Sequence, residues 1–331
     1  MRSSLAAVLA VVALNMGGPD SLAAVEPFLR NLFADPDILQ LGWARPLQPL
    51  LARFIAHRRA PFSRAAYSQI GGRSPIREES TAQVQAVAGA MAAAGLAAKP
   101  YLAMSYWHPF PRETAAAMHA DGITRALLLP LYPHRSRTTS GSAFRTIESA
   151  LADKAIVTAR IEGYATAPGY IEALCDRITE AAGQLPESER ATAPVLFSAH
   201  GLPEAYVRRG DPYLDDVRST VGAVTRKLAL AGRSQLAFQS RVGRRRWLAP
   251  TTEEALDALA AAGHRAVVVV PVSFTGEHLE TLQEIDILYR KRAAARGITS
   301  FVRARAVGCH PAFISGLAGL LISAVRARGW A

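Results

Sequence analysis

The stretch VVVVPVSFTGEHLETLQEID, residues 267–286, decides the fold because it joins two different patterns. Its four valines and the Pro-Val-Ser-Phe that follows form a continuous β-branched, apolar run, which is typical of a parallel strand covered on both faces. Five polar residues follow within ten positions: Glu277, His278, Glu280, Glu284 and Asp286. The stretch therefore predicts a buried strand that ends at a cluster of proton acceptors.

Further runs of this kind occur along the chain. They cover residues 9–16, 101–107, 125–133, 155–164, 193–200, 236–241 and 299–308. Helical patterns such as 80–96 and 251–265 lie between them, and in each half the later strands follow one another about 30 residues apart, the length of a βαβ unit. The pattern predicts an α/β protein with two Rossmann-like domains, each a doubly wound, parallel four-stranded sheet.

The domain boundaries follow from these runs. We expect an N-terminal domain over residues 1–165, with an insertion at about 17–98. We expect a C-terminal domain over residues 166–331 that carries His200 and an acidic helix at Glu277–Glu284. Ligands of doubly wound sheets bind beyond the carboxyl ends of the strands, so a cleft between the two domains is the expected site.

The segment 28–60 within the insertion is rich in large apolar residues and contains Arg45, Arg53, Arg58 and Arg59. Two interpretations are open. The segment is either a helical pair that covers the sheet, or an apolar lip that borders a pocket or enters a membrane interface with its arginines at the level of the head groups.

Composition narrows the class of protein. The chain has 331 residues, half of them apolar, so it can bury a large core. Its two cysteines, Cys175 and Cys309, lie far apart, which argues against a disulfide framework, a cysteine zinc site or a cysteine-ligated iron–sulfur cluster. The net charge of +11 suits nucleic acid, an anionic membrane or an acidic substrate. Because the arginines are scattered and no nucleic-acid module occurs, we expect no nucleic-acid partner.

The N-terminal apolar run, residues 5–14, has two interpretations. It is either the core of a signal peptide or a buried first strand. The run leads directly into Asn15-Met16-Gly17-Gly18-Pro19, which favours a strand followed by a tight turn. The run is also too short to span a bilayer.

The sequence lacks the signature motifs of several enzyme classes. The chain contains no G-x-G-x-x-G, P-loop or G-x-S-x-G motif, which argues against a dinucleotide, a P-loop nucleotide and an α/β-hydrolase. Ser198 lies two residues before His200, on the same face of a predicted strand. A Ser-x-His pair is a weak signal for serine hydrolysis, and we disfavour that interpretation.

The acids after residue 276 suggest a cation or proton site. If a helix begins near Glu277, then Glu277, Glu280 and Glu284 share a face at 3.6 residues per turn, with His278 beside them. Acids at a helix start also complement its dipole. However, Glu280 and Glu284 repel each other and no lysine or arginine precedes Arg290 to offset them. Imidazole with carboxylates suits Fe²⁺, Zn²⁺ or Mn²⁺.

The chain resembles the ferrochelatase family, the enzymes that insert ferrous iron into a porphyrin at the end of haem synthesis. The motifs that carry the resemblance are LNMGGP (14–19), YSQIGGRSP (67–75), FSAHGLP (197–203), RGDPY (209–213), QSRVG (239–243) with Trp247-Leu248, and PVSFTGEHLETLQEID (271–286). FSAHGLP and the last block are the most specific of these. The resemblance covers nearly the whole chain.

The resemblance implies roles at the matching positions. His200 corresponds to the active-site histidine, which either takes a pyrrole proton or ligates the incoming iron, and Glu280 to its partner across the porphyrin. Glu277, His278 and Glu284 correspond to a path for metal or protons, so the expected metal-binding residues are His200, Glu280, Glu277, Glu284 and His278. The expected porphyrin contacts are Met16, Tyr67, Tyr106, Tyr132 and Phe274.

The implied function is insertion of Fe²⁺ into protoporphyrin IX. A coproporphyrin ferrochelatase and a non-catalytic tetrapyrrole-binding protein are the alternatives. The resemblance also implies a cytoplasmic protein that is peripheral on the inner membrane surface and receives porphyrin there, with an upstream enzyme of haem synthesis as a further partner.

Three positions depart from the family pattern. Ser105 stands where some relatives have a basic residue, and Arg244 stands where proline is usual, beside Arg245 and Arg246 in what we expect to be a solvated basic turn. Arg137 replaces the cysteine of relatives that carry a 2Fe–2S cluster. We therefore expect no cofactor, with iron present only as a substrate.

Overall fold

The computed structural model describes residues 8–39, 42–241, 243 and 245–330. These residues divide into two units. The first contains the described residues up to Tyr132, Arg137–Gly163 and the residues from Ile314 onward; the second contains Pro133–Ser136 and Tyr164–Phe313. The two units are not continuous in sequence, unlike the expected domains 1–165 and 166–331. Pro133–Ser136 belongs to the second unit, and the C-terminal residues from Ile314 belong to the first.

The sheet of the first unit has four parallel strands in the order β2-β1-β3-β4. The strands are β1 (Val8–Asn15), β2 (Lys99–Met104), β3 (Ile123–Pro130) and β4 (Val157–Arg160). β1 is a central strand, paired with β2 on one side and β3 on the other. The prediction of a buried first strand is therefore confirmed for Val8–Asn15, while residues 5–7 lie outside the described residues.

The second unit repeats this arrangement with the order β6-β5-β7-β8. Its strands are β5 (Val195–His200), β6 (Ser234–Gln239), β7 (Ala266–Pro271) and β8 (Ser300–Arg303). All pairings are parallel, and every residue of β7 is buried. Each of the eight apolar runs thus contains a strand, and the predicted pair of parallel four-stranded sheets is confirmed.

The helices lie between the strands in sequence, as expected of βαβ units. Those of the first half are α1 (Val25–Ala34), a 3₁₀ segment (Gly42–Leu47), α2 (Gln48–Ser68), α3 (Ile76–Ala93), α4 (Pro111–Ala120) and α5 (Ser140–Leu151). Those of the second half are α6 (Pro168–Ala182), α7 (Glu187–Arg190), α8 (Glu204–Arg208), α9 (Tyr213–Lys227), α10 (Thr252–Ala261), a π-helix (Glu280–Tyr289), α11 (Arg290–Ala295) and α12 (Pro311–Ala327). Among the described residues, none of the helices is both long and apolar enough to cross a bilayer.

Each sheet is held by helices packed on its apolar side chains. In the first unit, Met118 of α4 and Ile147 of α5 are fully buried with Leu14 and Leu128 of the central strands. In the second unit, Leu256 of α10 and Ile285 and Tyr289 of the π-helix pack with Leu196, Val267 and Val269. Burial of each such side chain stabilises the fold by about 1.5–3 kcal/mol. The π-helix is therefore fixed against the sheet by one of its own faces.

One helix of the insertion, α2, buries mostly small residues and exposes large apolar ones. The residues that α2 buries are mostly small, including Ala52, Ala56 and Ala60 at four-residue spacing, and the helix packs along α1. Four large apolar residues, the last of the 3₁₀ segment and three of α2, face outward and are 57–80% exposed. We call them the outer stripe: Leu47, Leu50, Phe54 and Phe62. These residues therefore do not cover a sheet.

Candidate active site

His200 is the last residue of β5 and is partly buried. Its backbone is held from two sides: the N–H donates to Ser273 Oγ at 3.3 Å, and the carbonyl accepts from the Tyr213 hydroxyl at 2.8 Å. Tyr213 and Ser273 also bond to each other, with 2.7 Å between their oxygens. The backbone of His200 is thus fixed by a closed set of hydrogen bonds.

Tyr213 reaches His200 because the GDPY motif starts a helix beside the strand. Asp211 Oδ1 accepts from the Tyr213 N–H at 3.0 Å, and Pro212 precedes the first turn of α9. The other carboxylate oxygen of Asp211 accepts from Ser136 Oγ at 3.0 Å. The motif is visible in the sequence, but its link to His200 appears only in three dimensions.

Phe274 lies between two imidazole rings. Its ring centroid is 6.2 Å from that of His200, edge to face, and 4.4 Å from that of His278. His278 is buried, and its Nε2 lies 3.1 Å from Glu280 Oε2. Its Nδ1 is also buried and has no hydrogen-bond partner within the described chain. The expected porphyrin contact Phe274 and the expected catalytic pair His200 and Glu280 are therefore parts of one cluster in the second unit.

The environment of His200 favours the neutral imidazole. Burial lowers its pKa below the ordinary value, the negative charge of Glu280 opposes this, and His278 lowers the pKa further. A neutral imidazole has a lone pair that can accept a proton or bind a metal ion. At neutral pH His200 is therefore ready to act as a base or a ligand.

The helix after β7 begins later, and is wider, than the periodicity suggested. It is a π-helix from Glu280 to Tyr289, so the prediction of a start near Glu277 with 3.6 residues per turn is wrong. A π-helix is rare and is frequent at functional sites, because its extra residue per turn changes which side chains share a face. Repulsion from Glu280 still raises the pKa of Glu284, whereas Glu277 precedes the π-helix.

Glu284 is a carboxyl group that can exchange a proton near neutral pH. Burial raises its pKa to about 7, helped by repulsion from Glu280 and opposed by hydrogen bonds from Ser240 and Gln239. Ser240 Oγ donates to Glu284 Oε2 at 2.7 Å. Ser240 has a φ of 65°, in the left-handed region that non-glycine residues seldom adopt.

Gln239 connects the acids to the sheet. Its Nε2 donates to the Glu280 carbonyl at 3.1 Å and to Glu284 Oε2 at 3.2 Å, while its Oε1 accepts from Ser198 Oγ at 2.6 Å. Ser198 also bonds to Thr252 Oγ1 at 2.8 Å and is fully buried. Ser198 therefore supports Gln239 and is not placed as a nucleophile, which agrees with the sequence-based argument against serine hydrolysis.

Glu277 is bound by a cation that the sequence pattern did not predict. Arg303 Nη1 lies 3.0 Å from both oxygens of Glu277, and Arg303 Nε donates to Asp286 Oδ2 at 2.7 Å. Burial opposes ionisation of Glu277, but Arg303, Thr281 and the Ala306 N–H outweigh it and lower the pKa. β8 thus brings a cation beside Glu277 and Asp286, whereas the expectation about Glu280 and Glu284 concerned only cations near them in the sequence.

The five expected metal-binding residues do not form one preformed metal site. Across the described ranges, no three histidine, cysteine, aspartate or glutamate residues are grouped closely enough to hold a metal ion. The second unit contains the pair His278–Glu280, the mutually repelling acids Glu280 and Glu284, and His200, on whose pKa Glu280 and His278 both act. Imidazole and carboxylate groups are ligands that suit Fe²⁺, and the set contains no thiolate.

The expected porphyrin contacts of the first unit follow three neighbouring strands. Met16 directly follows β1, Tyr106 lies two residues beyond β2, and Tyr132 lies two residues beyond β3. Tyr106 is buried, and its hydroxyl donates to Asp35 Oδ2 at 2.7 Å. Tyr67 is buried in the last turn of α2. Three of the four thus share the carboxyl edge of one sheet.

The turn after β1 requires small residues. A Cβ on Gly18 would lie 2.6 Å from the side chain of Ser74, and Gly17 has a φ of +83°. Asn15 braces the same turn: its Oδ1 accepts from the Met16 N–H at 2.8 Å, and its Nδ2 donates to Ser80 Oγ at 2.9 Å. The backbone at Met16 is therefore tightly constrained.

Of the three departures from the family pattern, Arg244 lies outside the described residues, while its neighbours Arg245 and Arg246 are exposed. Ser105 directly follows β2, and its N–H donates to the Asn15 carbonyl at 3.0 Å. Arg137 is exposed in the loop before α5.

Solved structures share this fold. The structure titled "SirB from Bacillus subtilis with Fe3+" matches with a TM-score of 0.56 and 13% identity, covering 97% of this chain and 98% of that chain. The structure of CbiX, titled the terminal enzyme for biosynthesis of siroheme in denitrifying bacteria, matches with a TM-score of 0.50 and 16% identity over 95% and 99% of the two chains. At such identities the likeness shows the fold alone. Fold and site together define an α/β protein of the chelatase type, with a histidine and carboxylates at the end of a parallel sheet.

A family model described as Ferrochelatase matches residues 8–325, and the chain belongs to the ferrochelatase family. A ferrochelatase of Geotalea daltonii is 42% identical over 322 residues, covering 97% of this chain and 98% of that protein. A ferrochelatase of Gloeobacter violaceus is 44% identical over 321 residues, covering 96% and 97%. The protein is accordingly a porphyrin metal-chelating lyase, with porphyrin and iron as its substrates.

Proposed function

We propose that the protein inserts Fe²⁺ into protoporphyrin IX at the carboxyl edge of β5 and β7. The observation that carries the chemistry is the set of partly buried proton acceptors there: His200, whose lowered pKa favours the neutral imidazole, beside Glu280, and Glu284 with a pKa of about 7. Insertion of a dication into a porphyrin releases two protons from the ring nitrogens, so the site needs bases in apolar surroundings.

Each acceptor has a role consistent with its contacts. His200 receives a pyrrole proton or holds the incoming Fe²⁺, and its fixed backbone keeps the imidazole in place. Glu280, 3.1 Å from His278, provides negative charge beside the reacting centre. Glu284 takes up a proton from Glu280 or the metal path and returns it to solvent, because a pKa of about 7 lets it exist in both states.

The choice of protoporphyrin over coproporphyrin rests on the outer stripe of α2. Leu50, Phe54 and Phe62 are 61–80% exposed, and Arg58 lies 5.9 Å over the Phe54 ring. An exposed apolar stripe with arginines beside it suits the interface of an anionic bilayer. Protoporphyrin has two carboxylates and partitions into membranes, whereas coproporphyrin has four and stays in water. We propose that the protein docks on the cytoplasmic membrane face and receives protoporphyrin there from a membrane-associated enzyme.

The substrate is tested with purified protein under anaerobic conditions. Fe²⁺ or Zn²⁺ is added with protoporphyrin IX or coproporphyrin III, and the change in absorption as metal enters the ring is followed. We expect kcat/KM for protoporphyrin to exceed that for coproporphyrin by about tenfold or more. An equal or higher value with coproporphyrin would contradict the choice of substrate. Porphyrin binding without any turnover would favour a tetrapyrrole-binding protein.

Membrane docking is tested by co-sedimentation with vesicles. We expect the protein to bind vesicles that contain phosphatidylglycerol and to bind neutral vesicles weakly. Replacing Leu50 and Phe54 by glutamate should abolish binding while insertion of Zn²⁺ into detergent-solubilised porphyrin continues. Val157→Glu is the matched control, because Val157 is 59% exposed on β4 and lies outside the stripe. Equal loss of binding in both variants would refute the docking surface.

We further propose that the protein has no resident 2Fe–2S cluster, since Arg137 stands at the position where cluster-bearing relatives have cysteine. Protein purified anaerobically from iron-supplied cells should contain no acid-labile sulfide. Stoichiometric sulfide would contradict this.

A further inference from the structure

A largely buried group of three charged residues lies at the start of the π-helix. Arg303, the last residue of β8, has a side chain that is only 8% exposed. It bonds to Glu277, which precedes the π-helix, and to Asp286, which lies within it. The guanidinium therefore joins residues on both sides of Glu280 to one strand of the sheet.

The carboxylate of Glu277 is saturated with donors. Its Oε1 accepts from Arg303 Nη1 and from the Ala306 N–H, each at 3.0 Å. Its Oε2 accepts from Arg303 Nη1 at 3.0 Å and from Thr281 Oγ1 at 2.6 Å. A carboxylate offers about four lone-pair positions, so these contacts, two of them from the one nitrogen Arg303 Nη1, leave little of Glu277 open to a further ligand. A metal ion could bind Glu277 only by displacing these donors.

Burial makes this displacement costly. The side chains of Arg303 and Glu277 are 8% and 14% exposed, and removal of one partner of a buried pair leaves the other charge without compensation. Thr281 strengthens the link, because its hydroxyl also accepts from the His278 N–H at 3.0 Å. The contacts of Glu277 therefore extend to the backbone of His278, which in turn holds Glu280.

We propose that Arg303 is a positioning residue for Glu280, and that Glu277 is its counter-anion and does not carry the metal. Arg303 fixes the turn before the π-helix through Glu277 and the helix itself through Asp286. Glu280 lies between these two points and is held in register with His200. The metal path is then formed by His278, Glu280 and Glu284 without Glu277. This inference rests on the metal-insertion activity of the family.

The test compares the variants Glu277→Gln, Arg303→Lys and their combination. Glutamine at 277 still offers one oxygen to Arg303 and Ala306. Lysine at 303 keeps the charge but loses the guanidinium fork, meaning the two nitrogens that contact Glu277 and Asp286 at the same time. With Zn²⁺ and protoporphyrin, we expect each single variant to lower kcat by about threefold to tenfold while KM for Zn²⁺ stays within about twofold. The double variant should lose less than the product of the two single effects, because both act through one contact.

Direct Zn²⁺ binding separates this inference from the overall function. Equilibrium dialysis without porphyrin should give the same Kd for wild type and Glu277→Gln, whereas Glu280→Gln should bind more weakly. A higher Kd or a higher KM for Zn²⁺ in Glu277→Gln would overturn the inference, even if Arg303→Lys does not fold. Wild-type protein that binds Zn²⁺ but inserts none would contradict the insertion activity, and the dialysis result alone would then decide whether Glu277 binds the metal.

Arg292→Lys is the matched control. Arg292 forms a similar two-point pair with Asp257, at 3.0 and 2.6 Å, but this pair is partly exposed and joins α11 to α10. We expect kcat and KM to be unchanged in this variant. A fall in kcat equal to that of Arg303→Lys would mean that loss of any arginine fork in this unit slows the enzyme, and would also overturn the inference.

Discussion

Gln239 donates its side-chain amide to the carboxylate of Glu284, 3.2 Å away, and to the backbone carbonyl of Glu280 at 3.1 Å. The contact ties the end of β6 to the first turn of the π-helix. Because Ser198 on β5 donates to the same glutamine, two strands hold the acid in place. The hydrogen bond from the fixed Gln239 amide therefore lowers the pKa of Glu284, against burial and the charge of Glu280, which raise it.

The first prediction concerns the pH dependence of stability. Burial raises the pKa of Glu284 from 4.5 to about 7, so its ionisation opposes folding progressively from about pH 4.5 to pH 7 and fully above pH 7. Glu284→Gln removes this cost. We expect the variant to gain on the order of 1–3 kcal/mol relative to wild type at pH 8 and little at pH 5. Thermal unfolding at the two pH values measures this.

Asp257→Asn serves as the control for that comparison. Asp257 is a partly exposed carboxylate whose pKa is lowered by hydrogen bonds from Arg292, so its loss should destabilise the protein at pH 8. A stability difference between Glu284→Gln and wild type that is the same at pH 5 and pH 8 would show that Glu284 does not titrate in this range.

The second prediction concerns His200 as the proton acceptor. His200→Ala should reduce metal insertion by about a hundredfold to ten-thousandfold, the range for loss of a general base. Porphyrin binding, followed by fluorescence, should persist. Because burial lowers the pKa of His200 below its ordinary value, the imidazole stays neutral to a lower pH than a free histidine, and its contribution to the rate should persist to a correspondingly lower pH. His119→Ala, on the exposed face of α4, is the control. Near-normal turnover of His200→Ala would remove the residue from its role.

The third prediction concerns the support of His200 by Tyr213. Tyr213→Phe removes the hydroxyl that donates to the His200 carbonyl at 2.8 Å. A buried carbonyl without its donor costs about 1–3 kcal/mol, and the imidazole loses its fixed position. We expect kcat to fall by about tenfold with KM for porphyrin unchanged.

Tyr101→Phe is the matched change for Tyr213→Phe, because it removes a hydroxyl bond to Asp121 in the first unit. Its kcat should equal that of wild type. If Tyr213→Phe changes KM alone, the hydroxyl contributes to substrate binding and not to the position of His200.

The fourth prediction concerns the turn after β1. Gly18→Ala places a Cβ 2.6 Å from the Ser74 side chain, so it should destabilise the protein by about 1–3 kcal/mol. Gly89→Ala, at an exposed position of α3 where a Cβ meets nothing within 4 Å, should stabilise by about 1 kcal/mol. Chemical denaturation of both variants measures the two changes. An equal change in both would show that the close approach of Ser74 is unimportant.

The strands and the central site residues could be predicted because their signals are local. A continuous apolar run such as 266–271 suits a strand covered on both faces, and a polar residue at its carboxyl end lies at the ligand-binding edge. His200 and Glu280 were found by this logic and by the resemblance of their motifs.

The remaining features depend on contacts between distant residues. Arg303 is 26 residues from Glu277 and meets it only because β8 pairs with β7 in one particular register. Gln239 belongs to the QSRVG motif, but its contacts with Glu280 and Glu284 depend on how the end of β6 lies beside the π-helix. The sequence does not predict the π-helix, because the spacing of the acids Glu277, Glu280 and Glu284 also fits an α-helix of 3.6 residues per turn.

Ser240 sets a conflict between stability and activity for any redesign of this protein. Its left-handed backbone costs a serine about 1–2 kcal/mol, and glycine would adopt it freely. A stability-guided engineer would therefore choose glycine at this position. That choice would delete the hydroxyl that donates to Glu284, and the acid would titrate at a higher pH. A version of this site relieved of the backbone strain at residue 240 would thus be adapted to a more alkaline solution than the natural one.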